Sequence, residues 1–244
     1  MKDEEGCVRY YFEGDGTLPF SLAEFDAPVS ELASDRKGRL SDWLNGEVII
    51  DGVLEPGVSV TGDAYVGSGS VIHASASIEG PVFIGKNCSI RHGALIRAGA
   101  VIADNCVVGH GAEIKNSVCM SGSKMQSGVF VGDSILGLGA RLGSGTILAN
   151  RRFKQDEVPL GAGEGRQKSG AQFFGAIIGD YARLGANVVT APGTLVGPYT
   201  WVGSLASLQG FIPRAKLVTP RLELQITDKD ETALRSGQGE YESI

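Results

Sequence analysis

Aromatic side chains are scarce, 7% of 244 residues, and tryptophan occurs only twice. Positive charge is also short: 22 Lys and Arg face 28 Asp and Glu, a net charge of −6. That balance argues against nucleic acid or an anionic membrane surface as the main partner. No apolar run is long enough to span a bilayer. The start, MKDEEGC, does not read as a signal peptide. Four cysteines, without a metal-type cluster, point to a reducing cytoplasm, and no metal is expected. Glycine, by contrast, is abundant at 36, as a turn-rich chain requires.

The glycines fall into a rhythm. From Leu54, every sixth residue through Val60, Val66, Ile72 and onward to Met120 is nonpolar. Four places later in each hexad sits a mostly small residue, such as Ala64, Ala76, Cys88 or Ala94, preceded by turn formers such as Gly69, Asn87 and Gly93. A period of six fits neither a helix nor simple strand alternation. It is the signature of a hexapeptide β-helix, in which the large aliphatic points inward and Gly or Asn accepts the corner. Three hexads close one triangular coil, so residues eighteen apart share a column. The fold expected is all-β: a parallel β-helix of about seven triangular coils, with a short N-terminal α/β cap.

The repeat divides the chain. Residues 1–48 do not repeat and read as a cap over the open end of the stack. In it, Val8, Tyr10, Tyr11 and Phe12 suggest an edge strand, and a helix starting near Pro28 and Ser30 carries Leu32, Leu40, Trp43 and Leu44 to Gly46. The β-helix is expected over 49–213, with an outward loop at 122–129, where the phase slips after Met120 and resumes at Phe130. A long charged, Gly-rich break follows at 151–176, and loops of this length are usually functional or mobile. The C-terminal extension, 214–244, carries RLELQIT as a further candidate strand and ends in a polar, fraying stretch.

The eighteen-residue ruler stacks several side chains. Cys88 and Cys106 fall at inward small positions and read as buried free thiols, with a disulfide between coils as the alternative. Arg97 and Lys115 share a column. Two like charges at that spacing repel unless an anion or carboxylate lies between them; the alternative is two solvated surface residues. His92 and His110 also share a column, which suits a metal, a proton relay or simply outward polar positions. His73 falls outside it and reads as surface.

Longer strings carry a resemblance. EIKNS, GDSILG, the GSGT turn and ILANRRF, within about 49–213, resemble the C-terminal left-handed β-helix of the bifunctional sugar-1-phosphate nucleotidyltransferase/acetyltransferases, and the insertion after Asn150 looks closer to the archaeal-type members. The Gly-rich loop of the nucleotidyltransferase half is not found, so nucleotidyl transfer by this chain is not expected. The resemblance implies a left-handed coil, a homotrimer, acetyl-CoA as co-substrate in a groove between subunits, and a sugar phosphate or nucleotide sugar beside it. It places Arg97 and Lys115 on phosphate contacts, and Asn150 on the amide that holds substrate and base. It puts the main-chain N–H of Ser144 at the thioester oxygen, which would survive a change of side chain. For the CoA phosphates it leaves only Arg214 and Lys216.

Three positions depart from the family. Ser127 stands where the catalytic His is expected, Phe130 where a Tyr binds substrate, and Arg141 where an Asn does. Serine is no general base near neutral pH, and losing such a base typically costs about 10²–10⁴-fold. Asp133 is the nearest acidic alternative, or a residue bracing its own turn through backbone hydrogen bonds. Two readings follow. One is a CoA-dependent acyltransferase with an altered pocket. The other is a non-catalytic trimeric module that binds sugar phosphates or joins a separate nucleotidyltransferase chain. A third, a metal hydrolyase of the carbonic-anhydrase type, shares the fold but needs three histidines whose spacing His92 and His110 do not match.

Overall fold

The computed structural model describes residues 3–21, 27–33, 36–161, 163 and 166–228. The repeat winds into a left-handed parallel β-helix. Each turn gives one strand of two or three residues to each of three sheets, of nine, nine and eight strands. We call these the first face (from Val48–Ile50), the second (from Val53–Leu54) and the third (from Ser59–Thr61). Inward aliphatics make the core: Ile72, Ile78, Ile84, Ile90, Ile96 and Ile102 are fully buried. Burial of each contributes roughly 1.5–3 kcal/mol. Corners are turned by Asn87 and Asn105 in the left-handed region, φ 54° and 60°, which asparagine tolerates better than most residues.

The stack has about nine turns rather than seven. The extra strands are Lys124–Met125, inside the expected loop, and Phe211–Ile212 with Leu217–Val218, beyond Leu208. No outward loop forms at 122–129. Instead, two corners are one residue short, at Asn116 (φ 45°) and Asp133 (φ 48°). Ile114 therefore aligns with Val131, and Ile102 with Cys119. Cys119, Met125 and Val131 fill the core, while Met120 and Phe130, expected inward, sit one place out of phase. No disulfide joins Cys88 to Cys106; both are buried thiols, as is Cys119, whose thiol burial pushes up to about 12.

The N-terminal segment is not a lid on the end of the stack. Ile50, Leu54 and Val60 in the first turn stay partly exposed. The segment instead runs along the outside of the first face, where Tyr11, Phe12, Leu32 and Leu40 pack on Val101, Val118, Ile135 and Ile177. Val8–Tyr10 is a 3-10 turn, not a strand, and the helix is short, Arg36–Leu44. Asp180 fastens the segment: it accepts the N–H groups of Glu13 and Leu138, both at 2.7 Å. Burial, with Glu13 and Asp15 nearby, raises its pKa to about 6.

The break at 151–176 is also packed. It holds an antiparallel pair, Pro159–Leu160 with Gln167–Lys168, and buries Val158, Leu160 and Phe174 against the same face. Gln167 ties it to the N-terminal segment through the Gly6 carbonyl, 3.0 Å. RLELQIT forms no strand: Leu222, Leu224 and Ile226 are exposed. The polar end from residue 229 lies outside the described residues. No helix among the described residues is long and apolar enough to cross a membrane.

Candidate functional site

The third face and the corner where it turns into the first carry most of the expected residues. Arg97 and Lys115 are register partners on adjacent strands, side by side on the outer surface. With Glu79, Asn116, Asp133 and Lys37 they line a groove of about 390 Å³. Neither cation is bare. Arg97 Nη1 meets Glu113 Oε1 at 2.7 Å, with Glu79 Oε2 at 3.9 Å from its Nε. Lys115 Nζ is 3.6 Å from Asp133 Oδ2. Carboxylates of the chain itself thus relieve the repulsion that the spacing implied. An anion entering the groove has to share these cations with them.

Asp133 is the hub. Its side chain is nearly buried, 5% exposed. Oδ1 accepts from Asn116 Nδ2 and Oδ2 from Asn150 Nδ2, both at 2.6 Å. The expected side-chain-to-backbone brace is therefore not what holds it. The two short corners bring Asn116 and Asp133 together, and Asn150 reaches in from the next turn. Asn150 is itself fixed at the root of the insertion, where its carbonyl accepts the Phe174 N–H at 2.9 Å. The returning insertion sets the Phe173 ring 4.9 Å from Lys115 Nζ, within cation–π range. Phe130 lies beside this group. A Cβ on Gly132 would come within 2.8 Å of the Phe130 ring and 2.6 Å of Asn150 Nδ2, so a side chain there would displace both.

Ser127 and Ser144 occupy a different place, the corner between the second and third faces. Ala74, His92, His110, Ser127, Ser144 and Ala186 follow one another along it. Each residue from His92 to Ser144 passes its carbonyl to an N–H of the next turn, as Ser127 does to Gly145 at 2.9 Å and Ser144 to Asn187 at 2.8 Å. His110 therefore sits one rung from Ser127. Both serines are exposed. Arg141 is not in the groove. It lies on the second face in register with Lys124 and Arg183, and Arg183 leans over Trp201 at 5.4 Å. Arg214 and Lys216 lie in the last turn, and the Arg214 N–H donates to Tyr10 Oη at 2.9 Å.

Sequence reasoning missed Asn116, Glu113, Glu79 and Phe173. The first was visible inside EIKNS. Phe173 had no signal beyond the paired phenylalanines that end the insertion.

The family described as GMPPB C-terminal domain matches residues 78–164. The bifunctional protein GlmU of Methanococcus maripaludis (strain C7) is 45% identical over 180 residues, 74% of this chain and 44% of that protein. A bifunctional sugar-1-phosphate nucleotidylyltransferase/acetyltransferase of Sulfurisphaera tokodaii is 41% identical over 87 residues, 36% of this chain and 22% of that one. Among solved structures, a UDP-N-acetylglucosamine acyltransferase from Campylobacter jejuni aligns with a TM-score of 0.41 at 18% identity, over 66% of this chain and 69% of that one. The chain spans less than half the length of these curated relatives. It is similar to the C-terminal, β-helical part of GlmU-type bifunctional proteins, as its strings imply.

Proposed function

We propose that this chain is a CoA-dependent acyltransferase of the hexapeptide-repeat class, acting on a sugar phosphate or nucleotide sugar. The observation that carries it is the groove of Arg97, Lys115, Asn116 and Asp133, with Asn150 bonded to Asp133, in a chain 45% identical over 180 residues to a GlmU. The groove offers both signs of charge. A phosphate suits Arg97 and Lys115, and an amino group suits Glu79 and Glu113 beside them. A ligand bearing both is an amino-sugar phosphate.

Acetyl-CoA supplies the acyl group. The substrate amine forms a C–N bond to the carbonyl carbon as the C–S bond breaks, and the amine proton ends on the departing thiol. In this reading Asn150 orients the substrate and the Ser144 N–H faces the thioester oxygen. Phe130 packs on the sugar in place of a hydroxyl contact. Ser127 cannot take the proton. His110, one rung away, has the imidazole that can: its Nδ1 donates to the His92 carbonyl at 2.7 Å, which leaves Nε2 as a lone pair. Arg141, on another face, meets the same ligand only across a contact between copies, so the reading includes a homotrimer in the cytoplasm.

The second reading is a non-catalytic module that binds the sugar phosphate and assembles with a separate nucleotidyltransferase chain. Serine at position 127 favours it. Calorimetry with acetyl-CoA and with glucosamine 1-phosphate separates the two. The enzyme reading expects both to bind, and thiol release when they are mixed. Arg97→Ala should weaken the sugar phosphate about tenfold, one charge-assisted contact. Its melting temperature should barely move, because Arg97 is 40% exposed and such pairs contribute about 0–1 kcal/mol. Sugar-phosphate binding without CoA binding favours the module. Binding of neither overturns both.

A further inference from the structure

A second cluster lies at the N-terminal end of the corner between the second and third faces. Glu55, His73 and His92 come from three successive turns, and one ligating atom from each lies within 4.8 Å of the others. His73 Nδ1 is 3.0 Å from Glu55 Oε1, and the His73 and His92 rings are 5.1 Å apart. His73 is thus no isolated surface residue, and His92 finds its ring partner in His73.

What distinguishes the cluster is how each member is held from behind. Glu55 Oε2 accepts the Ala74 N–H at 2.9 Å. His92 Nδ1 faces the Ala74 carbonyl at 3.2 Å. A carbonyl only accepts, so Nδ1 carries the hydrogen and Nε2 keeps a lone pair. His73 Nε2 faces Ser89 Oγ at 3.3 Å. The Ser89 hydroxyl can donate or accept, so His73 has two tautomers: Nδ1–H donating to Glu55 Oε1, or Nε2–H donating to Ser89 with the Nδ1 lone pair turned toward Glu55. In the second, a cation held by Nδ1 and Oε1 takes the place of the proton in the first. Ligands oriented by backbone and hydroxyl partners behind them are the usual arrangement of a metal site.

We propose that Glu55, His73 and His92 bind a divalent ion of the zinc type. Two imidazoles and a carboxylate are a ligand set that zinc accepts. His92 is exposed, so a fourth position opens to solvent. The competing arrangement is a metal-free His73 donating its Nδ1–H to Glu55, which gives His92 no part.

The test is calorimetric titration of the full, tag-free chain with Zn²⁺, repeated with Co²⁺ and its visible absorption. The expected result is one ion per chain. Glu55→Gln, His73→Ala and His92→Ala should each weaken binding at least tenfold, and Ser89→Ala should weaken it measurably through the lost anchor. His110→Ala should bind like the unaltered chain. If His73→Ala fails to fold, the exposed His92→Ala and Ser89→Ala still decide the matter. No binding at millimolar Zn²⁺, or binding unchanged by His92→Ala, overturns the proposal.

Discussion

Replacing Asp133 with asparagine isolates the chemistry of the hub from its backbone. Asparagine accepts the left-handed φ of 48° as readily as aspartate, so the corner itself is not strained by the change. The carboxylate, however, accepts hydrogen bonds from Asn116 and Asn150 and pairs with the Lys115 ammonium at 3.6 Å. An amide offers one oxygen and points an NH₂ at whichever asparagine the oxygen does not face. One hydrogen bond to a charged acceptor is lost, about 1.5–3 kcal/mol. The Lys115 pair adds at most about 1 kcal/mol, because Lys115 is 30% exposed. The sum is a loss of roughly 2–4 kcal/mol. At roughly 2–4 °C per kcal/mol for a chain of this size, thermal unfolding should move down by about 5–15 °C. Differential scanning calorimetry reads this directly. A fall under about 2 °C would refute the hub as a stabilising element and leave its two short hydrogen bonds and the Lys115 pair without energetic weight.

Two other perturbations follow from the same reasoning. Thr190 occupies an inward core position, and its hydroxyl is the one buried side-chain group without a hydrogen-bond partner among the described residues. Thr190→Val keeps the shape and removes that hydroxyl, so denaturant unfolding should show a gain of about 1–2 kcal/mol; a loss would mean that the hydroxyl is satisfied in solution. Asp180 has a folded pKa raised from 3.8 to about 6. Its protonated form is favoured by folding, so that contribution is full below about pH 3.8 and is lost as pH rises through about 6. Stability measured from pH 4 to 7 should therefore carry a downward component that Asp180→Asn removes; an identical pH profile in the variant would contradict the raised value.

The six-residue period made the three faces legible, and the eighteen-residue spacing placed Arg97 beside Lys115. It failed at the short corners for a specific reason. Cys119 and Met120 are adjacent and both apolar, as are Phe130 and Val131, so a one-residue deletion left the hydrophobic pattern apparently intact and seemed to require a loop. The Asp133 contacts were illegible for the same reason, since Asn116 joins them only in the shortened register. The cover on the first face did have a signal. Phe83, Val101, Ile135 and Ile177 each stand immediately before an inward aliphatic, and an outward apolar residue repeated turn after turn marks a face that is not left to water. Read that way, the N-terminal segment and the insertion belong beside the stack rather than on its end.

That lateral cover sets a boundary condition on assembly. One flank of the prism is already covered by its own chain, which leaves the second and third faces and the ridge they share without such a cover among the described residues. His92, His110, Ser127 and Ser144 lie along that ridge. A neighbouring copy packed there would therefore fix both the reach of any imidazole and the solvent access of every hydroxyl in the row.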